Sequence, residues 1–541
     1  MKLVIILLTF LHVTESSPYQ IASVVIGKND SLSIKAGYIE PNVAWARFRD
    51  EINQTGWSYL EVFSNESYSD VLQATAAGMA EGFITADLIH MDYMNKYADY
   101  CKNDENFCKK LTEYLRGNEA WRAKMIKNHL NESYWYQVQL IDAQVEGIKK
   151  GYHNKSLALP EIPDLAFFFF QASGDLEDLE VALKKENPSR ILGSGSCSAL
   201  VKVLPEHKDI FISHVTWDTY LGMLRIFKMY DFPFTRKGRK DPIIIPGRKQ
   251  SFSSSPANIL SGDDFYMLSS GMVSIETTIG NTNEDLWKYV TPQGTLLEWV
   301  RVMIANRLAR TSDEWTFLFS KHNSGTYNNQ WMVLDYKLFT PGQPIQPGTL
   351  SVLEQIPGMT ETADMSVYLQ ENGYWASYNL PYFPTIYNMS GQEASREAYG
   401  SWFDYHLNPR AQIFKRDQSK VVDLETMMKL MRYNDYKHDP VSQCNCTPPY
   451  SAENAISARS DLNPKDGKYE FPFLGHREHG GTDCKITSFE LFQKFQCIAV
   501  SGPTHDQQPA FQWSTSEWEK PLGHPDKFDF EPVKVSWDNK D

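Results

Sequence analysis

Two runs of apolar and β-branched residues stand out in the middle of the chain. Cys197-Ser-Ala-Leu-Val-Lys-Val-Leu204 and Ile210-Phe-Ile-Ser-His-Val-Thr-Trp217 are separated by Pro205-Glu-His-Lys-Asp209, which carries turn chemistry, so the pattern predicts a β-hairpin. A turn centred near His207 would set Cys197 opposite Trp217 and bring His214 diagonally within reach of the first strand. Upstream, Tyr68 to Gly151 contains no proline and repeats Leu72, Ala76, Met79 and Phe83 at spacings of three and four, the period of a helix with one buried face. Pro160 and Pro163 interrupt that pattern, and Ser173 to Leu183 resumes it behind capping residues. Downstream, Asp218–Tyr230 and Leu296–Arg310 have helical spacing, whereas the latter half of Gly262–Thr278 and the end of Asn323–Asp335 read as strands. Hairpins with helices before and after them predict an α+β protein in which antiparallel sheets are covered by helices, with a mainly helical N-terminal portion.

The ends and the charge add context. Met1-Lys2, the apolar stretch Leu3–Leu11 and the small polar residues up to Ser17 have the form of a secretory signal over residues 1–17, too short to span a bilayer comfortably. Later segments offer no transmembrane span. Asn29, Asn53, Asn65, Asn131, Asn154, Asn388 and Asn445 each precede Ser or Thr by two positions, as expected of a glycosylated secreted or lysosomal protein. At 42% hydrophobic residues a large core is available, and a net charge of −14 argues against nucleic acid as a partner.

Cysteine arithmetic returns attention to the hairpin. Of seven cysteines, Cys101 and Cys108 look like a local pair, Cys444, Cys446, Cys484 and Cys497 cluster toward the C-terminus, and Cys197 stands apart. In an oxidising compartment six are expected to pair and one to remain free, with Cys197 the best candidate for the free thiol. The run Gly193-Ser-Gly-Ser196 immediately before it suits a backbone that bends sharply or is cut. Cleavage between Ser196 and Cys197 would place a free α-amine and the thiol on one residue, base and nucleophile together. That combination suggests the four-layer αββα sandwich of N-terminal nucleophile hydrolases, with residues 18–196 as one fragment and 197–541 as the other. The plainer alternative is a small buried thiol at Cys197 and a satisfied sheet histidine at His214.

Several blocks carry a family resemblance: Gly195-Ser-Cys-Ser-Ala-Leu200, Ser213-His-Val-Thr-Trp217, Ile275-Glu-Thr-Thr278, Asn323-Ser-Gly-Thr-Tyr-Asn-Asn-Gln-Trp331, Tyr378-Asn-Leu-Pro-Tyr-Phe383 and Ser173-Gly-Asp-Leu-Glu-Asp-Leu-Glu180. Taken together, with the last of them upstream of the others, they resemble the phospholipase B-like family. The resemblance implies a precursor that cuts itself before Cys197, fragments that stay associated, and deacylation of glycerophospholipids. It implies Cys197 as nucleophile, His214 and Trp217 as site positions, Thr277 or Thr278 in the pocket, and Asn379 in the oxyanion hole. Arg410 is the expected site arginine, with Arg396 and Arg416 as competitors. An N-acyl amide hydrolase and a non-catalytic luminal lipid-binding glycoprotein are the alternatives. No cofactor is expected. No metal is expected either, because the two histidines of Gly475-His-Arg-Glu-His479 lack a clear third ligand.

Overall fold

The computed structural model describes residues 19–27, 31–102, 104–155, 161–189, 191–192 and 194–537. The signal segment, Asn29, Arg190 and Gly193 lie outside the described residues. In chain order the strands are β1 (Gln20–Ile26), β2 (Leu32–Ala36), β3 (Ala44–Glu51), β4 (Trp57–Ser64), β5 (Cys197–Val203), β6 (Ile210–Thr219), β7 (Ile226–Asp231), β8 (Lys249–Ser254), β9 (Phe265–Leu268) and β10 (Met272–Thr278). They continue with β11 (Asn329–Asp335), β12 (Leu350–Ile356), β13 (Met359–Asp364), β14 (Tyr374–Ser377), β15 (His479–Gly481), β16 (Asp483–Ser488), β17 (Cys497–Ser501), β18 (Phe511–Gln512), β19 (Lys527–Phe528) and β20 (Val533–Val535).

Two sheets hold most of these strands. The larger runs β13-β12-β11-β10-β9-β8-β7-β4-β3-β1-β2, and its pairs are antiparallel except β4 with β7. The smaller runs β14-β5-β6-β16-β17-β20, with β15 also on β6. Because side chains alternate across a strand, each sheet presents two apolar faces. Ala199, Val201, Ile210 and Ile212 of the smaller sheet meet Phe227, Phe265, Val273, Ile275 and Met332 of the larger in one buried core. The other face of the larger sheet, including Leu60, Val62, Tyr230 and Phe252, is covered by helices Asp70–Ile84, Ser133–Asn154 and Glu298–Leu308. The other face of the smaller sheet, including Leu200, Phe211 and Val215, is covered by Pro409–Asp417 and Leu424–Met431. The result is a helix–sheet–sheet–helix sandwich, a mixed α+β architecture.

Two sequence expectations change. The N-terminal portion contributes helices, but also β1–β4, which join the larger sheet beside β7. The predicted helix over Asp218–Tyr230 is instead the end of β6, a short 3₁₀ turn at Tyr220–Met223 and strand β7. The apolar residues that suggested helical period are buried because β7 lies between β4 and β8, where pairing on both sides favours the extended chain. The segment from Tyr68 to Gly151 is helical as expected, in four pieces, Asp70–Ile84, Ala86–Lys96, Glu105–His129 and Ser133–Asn154, with the Cys101–Cys108 disulfide spanning one break.

The cysteine count also differs. Cys444 pairs with Cys446, but Cys484 and Cys497 remain free beside Cys197. Strand alternation sends the Cys484 side chain to the outer core and Cys497 to the core between the sheets, so these two neighbours on β16 and β17 cannot meet. Among the described residues, no helix is long and apolar enough to cross a membrane.

Candidate active site

The hairpin forms, with a register one residue away from the expected one. Its 3₁₀ turn places Glu206 and His207 at positive φ, and the strands pair Cys197 with Thr216, Ala199 with His214 and Val203 with Ile210. A one-residue slip exchanges the faces of a strand. Cys197 and His214 therefore point toward the core between the sheets, whereas Trp217 lies on the opposite face against the helices.

On the inner side, ligand-capable atoms of Cys197, His214 and Glu276 lie within 4.8 Å of one another, and all three residues are buried. His214 meets the Glu276 backbone, which leaves one of its ring nitrogens without a partner, and the Glu276 carboxyl is hydrogen-bonded to that of Asp264. Tyr327 Oη donates to Glu276 Oε1 at 3.2 Å and also contacts Asp264. Thr216, opposite Cys197, connects this group to a buried ionic floor: Lys485 Nζ donates to Thr216 Oγ1 at 2.7 Å and to Asp483 at 2.9 Å, and Arg225 reaches Asp483 at 2.7 Å and also Asp263. Burial would raise the Asp263 carboxyl, but Arg225 and Lys485 hold it below the ordinary range. Burial, reinforced by Glu276, pushes the Cys197 thiol well up, and burial, reinforced by Lys485, pushes His214 well down. The resting pair is therefore a neutral thiol beside a neutral imidazole.

Around the Ser196–Cys197 peptide the contacts are made by backbone and amide groups. Trp217 N–H donates to the Ser196 carbonyl at 2.6 Å. Asn379 Oδ1 accepts from the Ser196 and Cys197 amides at 3.0 and 3.4 Å, while its Nδ2 donates to the Thr278 carbonyl at 2.6 Å. Asn379 has φ +68°, a left-handed conformation that asparagine tolerates better than most residues. Arg410 donates to the Cys197 carbonyl at 2.5 Å and to the Tyr378 carbonyl at 2.8 Å, with its guanidinium 4.5 Å over the Trp217 ring. Burial lowers the Arg410 pKa to about 10. Arg410 thus grips the Cys197 backbone. Arg396 and Arg416 are engaged elsewhere, with Glu393 and with Asp417 and Asp439.

The approach to Cys197 is clamped from the other side. Glu453 accepts from Gly195 N–H at 3.2 Å and from Arg477 at 2.9 Å, and Arg477 donates to Ser194 Oγ at 3.0 Å. The Gly-Ser composition has a specific reason at Gly195, where a Cβ would stand 2.5 Å from Trp217 Cζ3. Thr277 Oγ1 contacts Ser377 Oγ at 2.7 Å and accepts from Asn379 N–H, whereas Thr278 lines the cleft.

That cleft has a volume of about 430 Å³ and reaches Cys197, Ser196 and Trp217. Its walls mix Tyr97, Tyr100 and Leu221 with Lys96, Asp218 and Glu478. Of the expected residues, Cys197, Ser196, Thr278, Asn379 and Arg410 come together around one peptide bond, His214 joins Cys197 from within, and Trp217 contributes its amide and ring. The two histidines of the 475–479 motif part company. His476 stacks on Trp518, and His479 stands 3.9 Å from Glu453 with its pKa lowered to about 4, chiefly by burial. Among the described sequon asparagines, Asn53, Asn131, Asn154, Asn388 and Asn445 are exposed and Asn65 is half-buried.

Sequence reasoning missed Glu276, Tyr327, Glu453 and Arg477. Glu276 had a local signal, a carboxylate in a strand that is otherwise apolar or small. Tyr327 lies within the block Asn323–Trp331 and Arg477 within the 475–479 motif, but neither these nor Glu453 carried a sign of their partners, which lie far away in the chain.

The phospholipase B family model matches residues 44–535. The provisionally named phospholipase B-like 2 of Rattus norvegicus is 49% identical over 519 residues, covering 94% of this chain and 88% of the relative. The human protein of that name is 48% identical over 508 residues, covering 92% and 86%. Phospholipase B-like protein B of Dictyostelium discoideum is 36% identical over 526 residues, covering 94% and 88%.

Proposed function

The chain belongs to the phospholipase B family, and on that premise we propose that it is a hydrolase that cuts its own Ser196–Cys197 bond and then deacylates glycerophospholipids through Cys197. The observation that carries the reading is the 2.6 Å hydrogen bond from Trp217 N–H to the Ser196 carbonyl, the group the adjacent thiol would attack. In self-cleavage, Cys197 Sγ forms a bond to the Ser196 carbonyl carbon and its proton passes to His214. Because burial disfavours thiolate and imidazolium alike, His214 holds the proton only in passing on its way to the Cys197 nitrogen, and the negative charge settles on the carbonyl oxygen, where Trp217 N–H receives it. The C–N bond breaks as Cys197 N takes the proton, leaving a thioester. Water from the cleft hydrolyses it to a Ser196 carboxylate and a free thiol.

The same positions serve turnover in this reading. The new α-amine faces Asn379 Oδ1 and acts as the base, and a substrate carbonyl takes the place vacated by Ser196 O. The oxyanion donor is then the Trp217 amide and not Asn379, whose Nδ2 is already engaged by Thr278. The fragments 18–196 and 197–541 stay together because β4 and β7 pair within one sheet. Exposed sequons and the Cys101–Cys108 disulfide fit a secretory route to the lysosomal lumen or the exterior.

One observation favours a second reading, an N-acyl amide hydrolase. The bond offered to Cys197 in this structure is itself an amide, and the cleft wall is mixed in polarity. The test has two parts. N-terminal sequencing after incubation in acidic buffer should give Cys197 as a new terminus, and a Cys197→Ala chain should stay whole. Fatty acid release from matched phospholipid and N-acyl amide should depend on Cys197 and favour the phospholipid by kcat/KM. Faster amide cleavage would transfer the assignment to the second reading, and lipid binding without turnover by cleaved protein would leave a carrier.

A further inference from the structure

Cys197, His214 and Glu276 combine one thiol, one imidazole and one carboxylate, a donor set suited to zinc and its neighbours in the first transition row. Their candidate ligand atoms lie within 4.8 Å of one another, close enough for small side-chain adjustments to converge on a single ion. The imidazole supplies a second, independent observation. His214 is fully buried and meets the Glu276 backbone, which leaves one ring nitrogen without a partner in a core where buried polar groups are normally satisfied. The Glu276 carboxyl is hydrogen-bonded to that of Asp264, so two acids already meet at this point of the core.

Charge and access agree with this chemistry. A divalent ion bound by one thiolate, one carboxylate and a neutral imidazole makes a group of zero net charge, the form that burial tolerates. The floor beneath contains Arg225 and Lys485 against Asp263 and Asp483, which also balance, so no uncompensated cation opposes the ion. The cleft reaches Cys197 and supplies an entry path.

We propose that the uncleaved chain binds one Zn²⁺ through Cys197 Sγ, His214 and Glu276, and that the bound ion withholds the thiol from the Ser196 carbonyl. Binding releases the thiol proton, and that of Glu276 where protonated, to solvent, and no bond in the protein breaks. The site does not depend on the hydrolase reading; only its consequence for self-cleavage does.

Cobalt is the probe, because a thiolate-to-Co²⁺ charge-transfer band reports sulfur ligation directly. Full-length protein titrated with Co²⁺ at neutral pH should develop this band to one equivalent and lose it when Zn²⁺ is added. Cys197→Ser should abolish the band, and His214→Gln and Glu276→Gln should each weaken Co²⁺ binding by about tenfold or more. Far-ultraviolet circular dichroism identifies folded variants. A second measurement needs no variant: Zn²⁺ should slow alkylation of Cys197, with Cys484 and Cys497 as internal references. Absence of the band, its persistence in Cys197→Ser, or equal protection of all three cysteines would overturn the site. A metal-loaded precursor that cleaves at the metal-free rate would overturn the blocking role and leave the binding site standing.

Discussion

Gly195→Ala tests whether the backbone on the N-terminal side of Cys197 is held in place for cleavage. An added Cβ would lie 2.5 Å from Trp217 Cζ3, 2.7 Å from Cε3 and 3.2 Å from Arg410 Nη2. Ordinary carbon contacts begin near 3.5 Å, so ring or backbone must move by about 1 Å. Trp217 is fixed by its indole N–H to the Ile456 carbonyl at 3.1 Å and by the guanidinium over its face, so the segment 194–196 is the part that gives. A displacement of that size disturbs the 2.6 Å contact of Ser196 O with Trp217 N–H and the 3.0 Å contact of Ser196 N–H with Asn379. Misplacement by about 1 Å costs on the order of 10²-fold in rate, equivalent to about 2.7 kcal/mol of barrier. The overpacking cost to stability is about 1–3 kcal/mol, small enough for a large chain to remain folded. Fragment appearance in acidic buffer, followed by gel densitometry, gives the rate, and thermal unfolding gives the stability. In the double variant Gly195→Ala with Trp217→Leu the clash is relieved while the residue 217 amide is kept, so much of the rate should return. Cleavage of folded Gly195→Ala at the parental rate, or a double variant slower than the product of the two single effects, would refute the positioning argument.

Asn379→Ala removes the acceptor shared by the Ser196 and Cys197 amides and leaves alanine at φ +68°; cleavage should slow by about tenfold or more, and a parental rate would remove Asn379 from the site. Alkylation of denatured, unreduced protein followed by peptide mapping should label Cys197, Cys484 and Cys497 and spare the other four; protection of Cys484 or Cys497 would contradict the two-disulfide arrangement. Asp175 is raised from 3.8 to about 6 by burial, so its ionisation weakens the fold above about pH 6, and stability is regained as pH falls from there toward about 4. Asp175→Asn keeps an oxygen to accept from Glu298 N–H and Thr326 Oγ1 and should be more stable at pH 7 by up to about 3 kcal/mol, with the advantage gone at pH 4; an equal Tm change at both pH values would exclude this origin.

The residues themselves determined what depends on local pattern. The apolar and β-branched runs over 197–204 and 210–217 and the intervening turn were sufficient for a hairpin, and the Gly-Ser approach and odd cysteine singled out Cys197. The family blocks brought Asn379 and Arg410 forward, though not what they touch: Arg410 holds the Cys197 carbonyl, and Asn379 offers its oxygen to the Ser196 and Cys197 amides where an oxyanion donor was expected. Only the tertiary structure decided the one-residue register, because it follows from two positive-φ turn residues, and with it the face to which every side chain of the hairpin points. Glu276 reaches Cys197 from another sheet, and Glu453 and Arg477 reach Ser194 and Gly195 from more than 250 residues away. The strands β1–β4 are likewise completed by β7, a partner on the far side of the helical segment. Periodicity records which face of an element is buried; it carries no record of which distant element lies against that face, and here that pairing makes the site.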